Sequence, residues 1–176
     1  MKNTILRLEI GGAVFAFFFG SVMHFVYEWC GNSPVAGFFC PVNESTWEHL
    51  KMIYWPIVAW GIMEYFIYGK EKPGFFTAKA AAIYIAPVTI VVTFYGYLWM
   101  FSENSLLYTI FIFGLAAALA YIASYKITIS AANSGIVRIV SIILIILSLI
   151  MFSFFTFFPP ENFLFLDHLS GGYGIN

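Results

Sequence analysis

Long apolar runs separated by short polar stretches make up almost the whole chain, and five of the runs are long enough to cross a bilayer as helices. They extend from about Leu8 to Trp29, Trp47 to Tyr68, Phe75 to Met100, Leu106 to Tyr125 and Ile136 to Phe158. Spanning about 30 Å of hydrocarbon takes roughly 20 residues in helical form. The runs are continuously apolar and do not alternate, so helices and not barrel strands are predicted. Pro56 and Pro87 fall inside the second and third runs, where each removes a backbone donor and is expected to kink its helix. The first run follows Lys2 and Arg7, as in a signal peptide. It is too long for that role and ends in aromatic and charged residues, so a retained helix is expected. The remaining chain is an outer loop over residues 30–46 and a tail over residues 159–176. The tail stretch Phe163-Leu164-Phe165-Leu166 follows Pro159-Pro160 and is too short to span, so it is expected to lie at the interface or fold back between helices.

Composition supports the bilayer as the principal partner. Of 176 residues, 61% are hydrophobic, 21% aromatic and 10% charged, with a mean hydropathy of +0.87. A soluble domain carries about 25% charged residues. A net charge of −1 without a basic patch excludes a nucleic-acid-binding footprint. The predicted fold is an all-α membrane protein, a single transmembrane helical domain of five helices over residues 1–176. Lys2, Arg7, Lys70, Lys72, Lys79, Lys126 and Arg138 fall at one end of such a bundle and only Lys51 at the other. By the positive-inside rule the N-terminus is cytoplasmic and the C-terminus extracytoplasmic.

The groups able to do chemistry gather at the opposite, outer end. Glu28, Glu44, Glu48, Glu103, Glu161 and Asp167 map there, with all three histidines, His24, His49 and His168. His24 and Glu28 are one helical turn apart and share a face, a spacing that suits a ligand pair or an acid/base pair. In the polar run from Pro41 to Lys51, Ser45 and Glu48 have the spacing of a capping box, and Lys51 is placed to pair with Glu48. Capping requires neither His49 nor Glu44, and that surplus points to a site.

Several of these stretches together resemble a known family. His24, Tyr27-Glu28-Trp29, Gly31 and the run Pro41-Val42-Asn43-Glu44-Ser45-Thr46-Trp47-Glu48-His49-Leu50-Lys51 are similar to those of an uncharacterised family of small bacterial membrane proteins, the DUF6512 type. Pro159-Pro160, Leu164-Phe165, Asp167 and Tyr173-Gly174-Ile175 extend the resemblance over most of the chain. It implies a multi-pass protein of the bacterial cytoplasmic membrane and supplies no reaction. His168 stands where relatives are expected to have a proline after the aspartate, so no role is carried over to it.

Two functional readings follow. In the first, an outward-facing pocket holds a divalent metal such as Zn²⁺, Mn²⁺ or Fe²⁺ through His24, Glu28, Glu48, His49 and Asp167. Metal-bound water would then serve a membrane-embedded enzyme, or the pocket a sensor of a small ligand. Glu48 and His49 are the expected catalytic groups, Asn43 positions the loop or donates to an oxyanion, and Glu44 and Lys51 complete the polar pocket. In the second, the chain is the subunit of a homo-oligomeric transporter or channel. Glu64 would then be the inner station of an ion path; its plain partners are Lys79, Arg7 or a backbone group. Cys30 and Cys40 flank the outer loop and either pair or remain free thiols.

Overall fold

The computed structural model describes residues 2–102, 105–130 and 135–175; Glu103 lies outside the described residues. Among these, six α-helices follow in order: α1 (Lys2–Trp29), α2 (Pro34–Gly37), α3 (Thr46–Ile67), α4 (Phe75–Phe101), α5 (Leu106–Ser130) and α6 (Gly135–Phe157). A 3₁₀ turn at Gly69–Glu71 links α3 to α4, and the tail holds one isolated bridge between Leu166 and Tyr173. α1 starts at Lys2 and not near Leu8, and α5 continues past Tyr125 to Ser130, because the polar residues at these ends extend the helices without a breaker. The short α2 in the loop between α1 and α3, which Pro34 opens, was not apparent from hydropathy.

Four helices, α1, α4, α5 and α6, are long and apolar enough to cross a membrane. α3 matches them in length, with 22 residues, but carries Glu48, Lys51 and Glu64. Its position explains the difference. α3 packs against both α1 and α4, α5 packs against α1 and α4, and α6 covers α4. Eleven of the 22 residues of α3 are buried, against four of the 23 in α6. A helix shielded by neighbours has little lipid-facing surface to supply, so it can hold polar side chains that partners satisfy. α6 meets the surroundings over most of its surface and has the highest mean hydropathy of the four, 2.8.

Close approach between α1 and α3 depends on glycine. A Cβ on Gly20 would stand 2.2 Å from the carbonyl oxygen of Met52, and one on Gly12 would stand 2.6 Å from the Trp60 ring. Met52 is four residues before Pro56, so its carbonyl lacks the usual intrahelical N–H partner. Both prolines lie within continuous helices. The main core runs through the bundle from Trp47 and Phe165 to Ala120 and Tyr121, built largely from Ile53, Tyr54, Ile57, Ala82, Ile83, Ala86 and Ile112.

The tail folds back over the ends of α3 and α6. Trp47 stacks between Phe152 and Phe165, with ring centroids 4.7 Å away on each side. The Trp47 amide donates to the Leu164 carbonyl at 2.9 Å, and the Ile175 amide donates to Thr156 at 3.1 Å.

Candidate functional site

The end of α1, the loop before α3, the first turns of α3, the end of α6 and the tail meet at one end of the bundle. Local chemistry sets the start of α3. Ser45 Oγ accepts the Glu48 amide at 3.3 Å, as an N-cap does. The reciprocal half of the expected capping box is replaced: the Ser45 amide donates to Asn43 Oδ1 at 2.9 Å. That frees the Glu48 carboxylate to turn inward. Asn43 then donates through Nδ2 to the Gly174 carbonyl at 2.8 Å, tying loop to tail. Both polar atoms of Asn43 are therefore engaged in positioning the loop.

Glu48 and Lys51 form a buried hub. Glu48 accepts Lys51 Nζ at 2.6 Å and the Val42 amide at 3.1 Å on one oxygen, and Thr156 Oγ1 at 3.0 Å on the other. Lys51 also donates to the carbonyls of Gly37 at 2.7 Å and Cys40 at 3.4 Å. The hub joins α3 to the loop before it and to α6, and leaves no free carboxylate oxygen on Glu48. Burial pushes the nearby Cys40 thiol up from its ordinary value, with Lys51 opposing. Cys30 and Cys40 are both free thiols, the first exposed and the second buried.

His24, Glu44 and His49 converge beside this hub. Glu44 lies 3.8 Å from His24 Nε2 through one oxygen and 3.4 Å from His49 Nε2 through the other. One candidate ligand atom from each residue lies within 4.8 Å of the other two. His49 Nδ1 is 2.9 Å from the Ser45 carbonyl. A carbonyl only accepts, so Nδ1 carries the hydrogen and the Nε2 lone pair of a neutral ring faces the Glu44 carboxylate. Two acceptors facing each other need a cation between them: either a proton on the imidazole or a metal ion. His24 Nδ1 is buried without a hydrogen-bond partner. The three side chains are 30% to 44% accessible, so the group opens to its surroundings. The hydrogen bond from His49, together with the two imidazoles, holds the Glu44 carboxyl below its ordinary value, against burial and Asp167.

The remaining expected ligands are elsewhere. Glu28 is exposed on α1, outside the group. Glu48 is committed to the hub. Asp167 is buried in the tail, where its carboxylate accepts the Leu169 amide at 3.0 Å and both the amide and hydroxyl of Ser170. Burial pushes its carboxyl up, but these bonds outweigh burial and hold it low. His168 is exposed beside it. Asp167, Asn43 and Glu44 do share the lining of an open cleft of about 530 Å³, with Tyr27 and Ser170. Glu44 thus stands between the histidine pair and this cleft.

A second polar group occupies the other end of α3. Lys79 of α4 pairs with Glu64 of α3, and with Glu9 of α1 at 3.1 Å. Glu9 was not singled out from the sequence. The signal was present: Ile5, Glu9, Gly12, Ala16, Gly20 and Met23 form the buried stripe of α1, so a carboxylate stands among small residues that face the bundle.

The chain belongs to a family of unknown function (DUF6512), whose sequence profile matches residues 3–175. No curated protein and no solved structure is significantly similar to it.

Proposed function

We propose that this chain is a five-span protein of a bacterial cytoplasmic membrane, with its N-terminus inside, that binds a divalent metal ion at its outer face through His24, Glu44 and His49. The observation that carries this reading is the approach of His24 and His49 through Nε2 to the two oxygens of Glu44, with the His49 ring held by its Nδ1 bond to Ser45. That arrangement is how a metal-binding histidine is fixed in its tautomer. Two imidazoles and one carboxylate make the ligand set of catalytic zinc sites, which keep a fourth position open. At Zn–ligand distances of about 2.0–2.2 Å, tetrahedral ligand atoms stand roughly 3.3–3.6 Å apart. The 3.4 and 3.8 Å contacts run to different oxygens of Glu44; one ligand atom from each residue lies within 4.8 Å of the other two, and a rotation of exposed Glu44 would draw the set together. Mn²⁺ and Fe²⁺ suit the same mixed set.

The open position would face the cleft that Glu44 borders, where a metal-activated water could attack a small polar ligand. α3 supplies the fifth span, its charges sheltered by α1 and α4. Orientation rests on seven of the eight basic residues lying at the other end of the bundle. The transporter reading is less well supported, because the core between His49 and Glu64 is packed with apolar side chains such as Ile53, Ile57 and Ala86.

Zn²⁺ titration of purified protein by calorimetry tests the proposal. One ion per chain is expected, with affinity falling at least tenfold in His24→Ala, His49→Ala and Glu44→Gln, and unchanged in Glu28→Gln. No stoichiometric binding, or equal binding by the His49→Ala protein, would overturn it.

A further inference from the structure

We propose that the buried group of Glu9, Glu64 and Lys79, at the opposite end of α3 from the histidines, is a proton-binding site that holds one proton on its two carboxylates. The charges in this closed space do not balance. Two carboxylates face a single ammonium: Lys79 Nζ is 3.1 Å from Glu9 and pairs directly with Glu64. Glu64 is 0% exposed, Glu9 2% and Lys79 6%. With all three ionised, one negative charge would remain uncompensated. A buried carboxylate in that position takes up a proton instead.

Among the described residues, no element packed against the group supplies a second cation to it. α1 contributes Glu9, while Arg7 and Lys2 on the same helix are exposed. α3 contributes Glu64, and Tyr68 just past its end donates its hydroxyl to Glu9 Oε1 at 3.0 Å. α4 contributes Lys79. α5 contributes Ser124, which donates to Glu9 Oε1 and accepts Lys79 Nζ, both at 2.8 Å, and Tyr121, whose ring is 5.7 Å from Lys79 Nζ. Lys70, Lys126 and Arg138 are exposed, the last against the Phe76 ring, and Lys72 before α4 pairs with neither glutamate. Among the described residues Lys79 is therefore the sole cation paired with the two glutamates.

The second observation is a set of unpartnered oxygens. Glu9 Oε2, Glu64 Oε1 and the Tyr121 hydroxyl are buried with no hydrogen-bond partner. Tyr68 and Ser124 both crowd onto Glu9 Oε1, so the bare Glu9 Oε2 and Glu64 Oε1 are the atoms able to take the proton. The single ammonium of Lys79 balances one of the two carboxylates and so limits the site to one proton.

Infrared spectroscopy of the full chain in lipid tests this. At neutral pH the wild type should show a protonated-carboxyl C=O band, shifted by deuterium exchange and equivalent to one group per chain. Glu9→Gln and Glu64→Gln should each abolish the band, because each leaves one carboxylate paired with Lys79; both should remain folded for the same reason. Lys79→Met should double it. The spectra should be the same in sodium and choline chloride. Absence of the band in wild type, its survival in either glutamine variant, or its appearance only without sodium would overturn the proposal; the last would make sodium the occupant.

Discussion

Replacing Lys51 with methionine tests whether the Glu48–Lys51 hub holds its end of the bundle together. The substitution keeps the length of the stem and removes the charge and its three hydrogen bonds, to Glu48, Gly37 and Cys40. Glu48, only 2% exposed, would keep the Val42 amide and the Thr156 hydroxyl but lose its counter-ion. Breaking a buried pair from one side costs about 3–5 kcal/mol, since the remaining charge is stranded. Against a total stability of roughly 5–15 kcal/mol, that is a large fraction. Denaturant unfolding in detergent micelles, followed by the fluorescence of the five tryptophans, buried Trp47 among them, would report it. The double variant Lys51→Met with Glu48→Gln should recover part of the loss, with a coupling of about 1–3 kcal/mol. If Lys51→Met alone changes stability by less than about 1 kcal/mol, or the two losses simply add, the hub is not what fixes this end.

Three further outcomes are expected. Gly20→Ala should lower the melting temperature even though alanine favours helix by about 1 kcal/mol, because its Cβ would meet the Met52 carbonyl oxygen at 2.2 Å; a higher melting temperature would contradict the α1–α3 packing. Asp167, held below its ordinary value, contributes stability that is present above that value and is lost as pH falls through the lowered folded value; hydrogen exchange of the tail amides should show that loss in wild type and a flat response in Asp167→Asn. A membrane-impermeant maleimide should label exposed Cys30 in intact cells and spare buried Cys40; labelling of Cys30 only after permeabilisation would reverse the proposed orientation.

The helices were legible in the sequence because apolar length is a local property. So were the Ser45 cap and the Glu48–Lys51 pair one turn apart on α3; for Glu64, Lys79 stood among three alternative partners, and the contact between α3 and α4 selects it. The composition of the outer group was less legible. Whether a carboxylate faces the histidines or the interior depends on non-local partners: Thr156, 108 positions away, and the Val42 amide draw Glu48 inward. Gly174, 131 positions away, holds Asn43 and so carries Glu44 to the imidazoles. Asp167 turns to its own loop because the Leu169 and Ser170 amides are closer than any histidine partner. Glu9 was legible only through the small-residue stripe on which it lies.

The most direct test of the account is an anomalous difference map, at the zinc edge, of protein crystallised with Zn²⁺. The account predicts a single peak about 2.0–2.2 Å from His24 Nε2, His49 Nε2 and a Glu44 oxygen, with the fourth direction open to the cleft. A map without a peak there, or with zinc held instead by Glu28 or Asp167, would contradict it.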